Sequence, residues 1–445
     1  MYHPYFKQLI HTREAKQNTQ PFQLKPFGDK SRHYLQNSNK YINIAVGAIR
    51  SSKTITTIMR FLSFVGHSPH TVFAIAGVTM GALKRNVVNP LLQILDLLHV
   101  PYEYHKFDGE IVLTNPHKVL TLFGLDKLGS DEKIKGFTCA GSMLDEVTIM
   151  NQEAVYMLIS RNSLSGAKIF MTCNPGNPNN FVHEDYVTNE KLIREGTVLV
   201  ENFTLEDNPS LDGEYVQYLK SLYPPDSVFY KRNILGEWVS GRGIIFGSFT
   251  DDNIFKGEVD LDDYDYLEVS SDYGTSTTTC YSLVGVKCYH DHNEFDVIHE
   301  MGYDATKQVG TQTDVERVED IIRLQDMYQL CEDSVFYCSH DAGSLKAALL
   351  KDERVRMSVE SFMPDTLECI NVMSSLFYRN HLHVHESCTE TIKQIRGYEW
   401  SDKAAQRGED MPVKKDDHYV DSIRGVIMNH LFGYDNRLLG GLVYL

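Results

Sequence analysis

The chain has 445 residues, 42% of them hydrophobic, a length that points to two domains, each with a core of its own. Its formal charge of -17 excludes indiscriminate coating of nucleic acid, which depends on Lys and Arg neutralising phosphates; any nucleic-acid site must be a local basic groove helped by metal ions or partner chains. The start, "MYHPYFKQLIHTREAKQ", carries no apolar signal core, no long uncharged apolar run follows, and the eight cysteines form no C-x-x-C pair, so a soluble, intracellular chain with free thiols and no membrane contact is expected.

From residue 40 to 175 short β-rich runs alternate with helical stretches. "YINIAV", "TVFAIAG", "KVLTLFG", "GSMLDEV" and "KIFMTCN" read as buried strands and "EIVLTN" as a hairpin strand. That alternation predicts an α/β domain with a mostly parallel sheet. Residues 205–240 read as a helical linker ending in glycine-punctuated chain, which divides the molecule into domains 1–240 and 241–445. Beyond it, "YLEVSSDYG", "CYSLVGVKC", "EFDVIHEMGY", "SVFYCSHDAG" and "HLHVHES" read as strands, with "VERVEDIIRLQDMYQL" and "DSIRGVIMNHLF" as helices. A second α/β layer with acids at its strand ends is the result.

"INIAVGAIRSSKT" has the form of a strand entering a phosphate-binding loop, with Ser52 where the G-x-x-x-x-G-K-[ST] pattern has its second glycine. In this reading Gly47 makes the tight turn, and Arg50, Ser51 and Ser52 line the loop. Lys53 neutralises the β and γ phosphates of ATP, and the Thr54 hydroxyl reaches Mg2+ at a helix N-terminus. A plain strand-to-helix turn is the simpler alternative. Asp145 and Glu146, ending the apolar run "GSML", supply a metal ligand and a base for the attacking water. On its own, such a pair is a solvated strand end. Asn174, at the tip of "KIFMTCN", is placed to sense the γ phosphate, or else opens an Asx turn before Pro175. Arg50 and Lys135 are the candidate cations for the transition-state charge.

In the second half, Asp272 and Asp341 close two predicted strands, and "KKDDHYVDSIRG" adds Asp417, His418 and Asp421. If the last segment is helical, His418 and Asp421 share a face. Converged, these groups form a hard oxygen-rich site for one or two Mg2+ or Mn2+ ions, with Asp272, Asp341, His418 and Asp421 as ligands, and two such metals can cut a phosphodiester. Ordinary helix caps and surface charges are the alternative. His381, His383 and His385 alternate along one strand and read as a polar face in preference to a zinc site.

Taken in order, "GAIRSSKT", "MLDEV", "TCNP", "FYKRNILGEWVSGRGIIFGSF", "SDYGTS", "HDAGS" and "DDHYVDSIRG" resemble the large terminase subunit of tailed bacteriophages over nearly the whole chain. The last is similar to that family's D-H-x-x-D-A-x-R-Y ending, with Ser422 and Gly425 as departures; Ser52 and Lys135 depart elsewhere. The resemblance implies an N-terminal P-loop ATPase domain with a mostly parallel sheet and a C-terminal RNase H-like nuclease domain. It assigns Glu146, Asp272, Asp341 and Asp421 to catalysis, and makes Asn174 the coupling residue. Glu300 is a possible assistant. ATP hydrolysis would drive double-stranded DNA through the portal protein into the procapsid, and the nuclease would cut concatemeric DNA. The implied partners are the small terminase subunit, the portal and further copies in a ring, in the cytoplasm of the infected bacterial host and transiently at the procapsid. Two competing readings are a helicase-like or recombination ATPase whose second domain grips DNA without cutting, and a P-loop assembly protein that has lost turnover through Ser52.

Overall fold

The computed structural model describes residues 24–125, 132, 134–274, 278–304, 311–339, 341–362 and 365–432. The expectation for the N-terminal segment lies outside them. Among the described residues no helix is long and apolar enough to cross a membrane.

Eight strands form the first sheet: β1 (Ile42–Gly47), β2 (Val72–Gly77), β3 (Tyr102–His105), β4 (Glu110–Thr114), β5 (His117–Gly124), β6 (Gly141–Leu144), β7 (Lys168–Cys173) and β8 (Val198–Phe203). Their order is β3-β4-β5-β2-β6-β7-β1-β8. β5, β2, β6 and β7 run parallel, and β3 to β5 form an antiparallel meander at one edge. β1 and β6 are buried at every position, as expected of parallel strands covered on both faces.

The second sheet holds β9 (Ile254–Phe255), β10 (Tyr266–Asp272), β11 (Thr278–Cys288), β12 (Asn293–Asp304), β13 (Val335–Ser339), β14 (Ser358–Phe362) and β15 (Leu382–His385), in the order β14-β13-β10-β11-β12-β15-β9. β10, β11 and β12 are antiparallel, and β13 runs parallel to β10 with Tyr337 opposite Ser270. Asp272 and Asp341 therefore lie at the same end of the sheet, at the C-terminal ends of neighbouring parallel strands.

By internal contacts the chain forms two compact units. One runs through Ala45 and adds Ser52–Thr172 and Glu206–Ser210; the other takes Val46–Ser51, Cys173–Leu205 and Leu211 onward. The first unit is built around Phe61, Phe73, Leu91, Ile94 and Phe170, all buried. In the second, Phe246, Phe295, Phe377, Val420 and Ile427 join the sheet to the C-terminal helix His418–Phe432. Also in the second unit, Ala48 packs with Leu205, Leu219, Leu222, Tyr223 and Ile234 of the linker helices Gly213–Ser221 and Val228–Asn233 and the chain beside them. Arg232 of that linker pairs with Asp410 at 2.7 Å, and Asp410 also accepts from the Asn177 amide side chain at 3.3 Å.

The strands differ from the expectation in two respects. "GSMLDEV" is a strand only to Leu144, where the chain turns because Glu146 takes a left-handed conformation with φ 63°. β3, β8 and β14 are strands that the reading of buried apolar runs passes over. β3 and β14 hold no fully buried position, and β8 only three of six, so none presents a continuous apolar run. The alternating histidines form the expected polar face: in β15 His383 and His385 alternate with buried Leu382 and Val384, His383 pairing with Asp296 at 2.8 Å and His385 with Ser387, while His381 stacks on His292.

One buried pair makes stability depend on pH. His430 lies 3.2 Å from Glu268; burial alone would lower its pKa, but Cys288 and the Glu268 carboxylate together lift it to about 9 from its usual 6.5. The folded value exceeds the unfolded one, so this stabilisation is complete below pH 6.5 and is lost as pH rises through 9. Urea unfolding should weaken by on the order of 3 kcal/mol across that window, and His430→Gln should flatten the profile.

Candidate active sites

The first site forms where β1 turns into the helix Lys53–His67. Gly47 sits at φ 146°, and a Cβ there would fall on the Phe203 carbonyl, so no side chain fits. The Ala48 amide donates to that carbonyl at 2.9 Å and the Ile49 amide to the Asn233 carbonyl at 3.0 Å. Ser51 closes the loop by donating to the Ala48 carbonyl at 2.7 Å.

Ser52 adopts φ 68°, ψ 7°, the left-handed conformation that a glycine would take without strain. Its hydroxyl lies 3.1 Å from that of Ser31, which also receives the Thr56 hydroxyl at 2.9 Å. The serine thus keeps the backbone path of the motif and gains a hydrogen bond. Ser52→Gly trades that bond and some chain entropy for relief of strain, so its stability should stay within about 1 kcal/mol of the parent. Ser52→Val, β-branched and without a hydroxyl, should lose roughly 2–3 kcal/mol and nucleotide binding with it, measured by unfolding and by titration with an ATP analogue.

Lys53 is buried at the start of the helix. One residue on, Thr54 donates to Asp145 Oδ1 at 3.0 Å, and Thr172, at the end of β7, donates to the same oxygen at 2.6 Å. The Thr172 hydroxyl in turn accepts the Glu146 amide at 3.2 Å. One hydroxyl thereby fixes both acids. Asp145 is 4% exposed, and burial raises its pKa against the pull of Thr172, Thr54 and Lys53. Glu146 is raised by burial and then by the Asp145 charge, with Lys53 and Arg85 opposing.

Arg85, in the helical turn Lys84–Val88, is thus a cation acting on Glu146 that sequence spacing does not reveal. Of the two candidates named from sequence, Arg50 is exposed in the loop at φ 55°, and Lys135 is exposed 3.9 Å from Glu132. Asn174 follows the last residue of β7 and is half-buried. Thr172 is visible in the sequence only as part of "TCNP"; nothing in the spacing distinguishes its hydroxyl from the amide of Asn174.

The second site lies at the C-terminal end of β10, within the second sheet. His418, first residue of the C-terminal helix, places Nδ1 2.7 Å from Asp272 Oδ2. That hydrogen bond lifts the His418 pKa and outweighs burial, which would lower it. One turn on, Asp421 is held by Arg424 at 2.6 Å and Lys414 at 3.3 Å, and Lys414 is also 3.3 Å from Asp417. Burial raises the Asp421 pKa, Arg424 and Lys414 draw it down, and Asp417 and Asp272 push it up.

The helix comes this close because residue 425 is glycine: a Cβ would enter the Ser270 hydroxyl and the Phe362 ring. Beside it, Ser422 donates to the Ser270 carbonyl at 2.8 Å. Both departures from the family's ending are thus contacts between this helix and β10.

Asp341 is exposed and accepts from Ser339 at 2.6 Å. Glu300 caps another helix, accepting the amides of Glu390 at 3.0 Å and Thr391 at 2.8 Å. Among the described residues, no three His, Cys, Asp or Glu side chains stand close enough together to hold a metal ion. Asp272 and His418 meet, Asp417 and Asp421 share Lys414, and Asp341 lies at the same end of the sheet as Asp272.

The donor sets suit hard cations. Asp145 with Thr54 offers a buried carboxylate and hydroxyl at a helix N-terminus, which fits Mg2+, and the carboxylate oxygens of the second centre are of the hard type that Mg2+ or Mn2+ takes.

Comparison with known proteins agrees with both halves. The phage terminase large subunit profile matches residues 39–237. The large terminase of a thermophilic bacteriophage aligns with 92% of this chain and 100% of its own at 29% identity, with a TM-score of 0.81. In complex with ADP that phage protein aligns over the same shares at 30% identity and a TM-score of 0.79. Its ATP-gamma-S complex aligns with 91% of this chain and 99% of its own, at 29% identity and a TM-score of 0.78. No curated protein matches. The mixed α/β fold, the loop and acids of the first sheet, and 30% identity over 92% of the chain lead to one conclusion: the chain belongs to the phage large terminase family.

Proposed function

We propose that this terminase couples ATP hydrolysis in residues 1–240 to movement of double-stranded DNA through a portal into a procapsid, and cuts concatemeric DNA with an RNase H-like nuclease in residues 241–445. The observation that carries the reading is the pair of separate acidic centres, Asp145 with Thr54 and Asp272 with His418. The thermophilic-phage relative in complex with ADP or ATP-gamma-S supports the nucleotide half.

At the motor site, Gly47 to Thr54 cradle the phosphates and Lys53 neutralises them. Mg2+, held by Thr54 and Asp145, would supply electrostatic stabilisation of the transferring phosphoryl group. Thr172 keeps Asp145 and Glu146 in register, and Glu146, its proton affinity raised by burial, takes a proton from the attacking water. Before that transfer, Lys53 and Arg85 offset the negative charge that the carboxylate carries. Asn174, next along the chain from Cys173, passes the phosphate state to the turn that follows.

At the nuclease site, divalent ions held by Asp272, Asp341 and Asp421 would activate water and stabilise the leaving oxygen. His418 holds Asp272 in position. Small terminase subunit, portal and further copies of the chain in a ring are the expected partners, in the cytoplasm of the infected bacterium.

Plasmid cleavage with Mg2+ or Mn2+ and no ATP, beside DNA-stimulated phosphate release, tests the reading. Lys53→Ala should stop hydrolysis and leave cutting intact, and Asp272→Asn the reverse. Hydrolysis without any metal-dependent cutting would favour an ATPase whose second domain only grips DNA.

A further inference from the structure

We propose that Lys414 is a built-in counter-ion that competes with a divalent cation for the Asp417 and Asp421 carboxylates. The inference rests on the nuclease reading above and concerns what holds that centre in its metal-free state.

Three acids of the centre have a basic side chain beside them, while Asp341 accepts from Ser339: Asp272 has His418, Asp421 has Arg424, and Asp417 has Lys414, which reaches Asp421 as well. Asp417 is 6% exposed, a burial that an unbalanced carboxylate does not tolerate. Its Oδ2 and Oδ1 of Asp421 make no hydrogen bond among the described residues. They are held by charge, at 3.3 Å from Lys414 and 2.6 Å from Arg424, respectively. Lys414 also donates to Asp421 Oδ2 at 3.3 Å, a long hydrogen bond that a hard cation at these carboxylates would replace.

The two balancing cations differ in their ability to leave. Arg424 is buried within the helix, one turn from Asp421, and one nitrogen of its planar fork meets that carboxylate at 2.6 Å. Lys414 precedes the helix, its side chain is 59% exposed, and its ammonium ends a flexible four-carbon stem. A divalent ion arriving at Asp417 and Asp421 therefore meets one cation that stays and one that swings into water at little cost. Lys414 keeps the site neutral at rest and sets the metal concentration at which cutting begins.

The test is Mn2+ binding to the full chain without nucleotide or DNA, read from the free-Mn2+ EPR signal. If Lys414 occupies the carboxylates about nine-tenths of the time, Lys414→Met should bind Mn2+ about tenfold more tightly. Lys414→Arg, which keeps the charge, should remain within about twofold of the parent, and Asp421→Asn should lose the site. Unchanged or weaker binding in a folded Lys414→Met protein, with Asp421→Asn still unable to bind, would overturn the competitor role and leave the nuclease reading standing. Equal Mn2+ binding by Asp421→Asn and the parent would remove the metal site itself, and the proposal with it.

Discussion

Glu146→Gln should leave ATP bound and unhydrolysed: turnover falls about a thousandfold, the range of a lost general base, while affinity for an ATP analogue stays within about twofold. The substitution is nearly isosteric, and the anchor of this residue is its amide, which donates to Thr172 whichever side chain follows. Only the proton acceptor is removed. Asp145→Asn is a different experiment, because Asp145 Oδ1 receives both Thr54 and Thr172, so binding and turnover fail together. Thr172→Val lies between them: it frees the Glu146 amide and one Asp145 oxygen at once, and turnover should drop more than affinity. Single-turnover phosphate release beside equilibrium binding separates the three. Hydrolysis by Glu146→Gln within tenfold of the parent would end its assignment as the base.

Asp272→Asn should reduce plasmid cutting by at least about a thousandfold with Mg2+ or Mn2+, while DNA-stimulated ATP hydrolysis is retained. The carboxylate has two tasks in the proposed centre, metal ligation and orientation of His418, and the amide performs the first poorly. The His418 pKa offers an independent readout. It is raised chiefly by the hydrogen bond to Asp272, so in Asp272→Asn it should fall back toward the ordinary imidazole value, because burial is then opposed only by the charges of Asp417 and Asp421. An NMR titration of His418 that shifts down, together with lost cutting, places the carboxylate at the centre. Lost cutting with an unmoved titration would mean that the ring and the acid are not coupled in solution.

The β1 strand and its loop are legible in the sequence because their chemistry is local: a buried apolar strand, a turn glycine and a lysine at a helix start are contiguous in the chain. The same holds for Asp145 and Glu146 after "GSML". Arg85 and Thr172 are not legible, since their roles depend on which strands of the sheet are neighbours. β6 lies between β2 and β7, and that order brings the ends of three segments together. In the second domain the strand-end acids are readable, but Lys414 and Arg424 look like a solvated charge run because nothing local shows that Asp417 is buried and Asp421 half-buried. The Ser52 departure is readable as a small side chain, whereas the hydroxyl pairing with Ser31 needs the fold.

Gly425 acts as a gauge. The helix that carries Asp421 and the strand that carries Asp272 are separated by a distance set by a missing side chain, as a shim sets the gap between two plates. In the nuclease centre proposed above, two acids that share small ions would tolerate little error in that gap, and the thickness of one methyl group would separate a working clearance from an open one. The tolerance of the centre is therefore written at a position that carries no functional group at all.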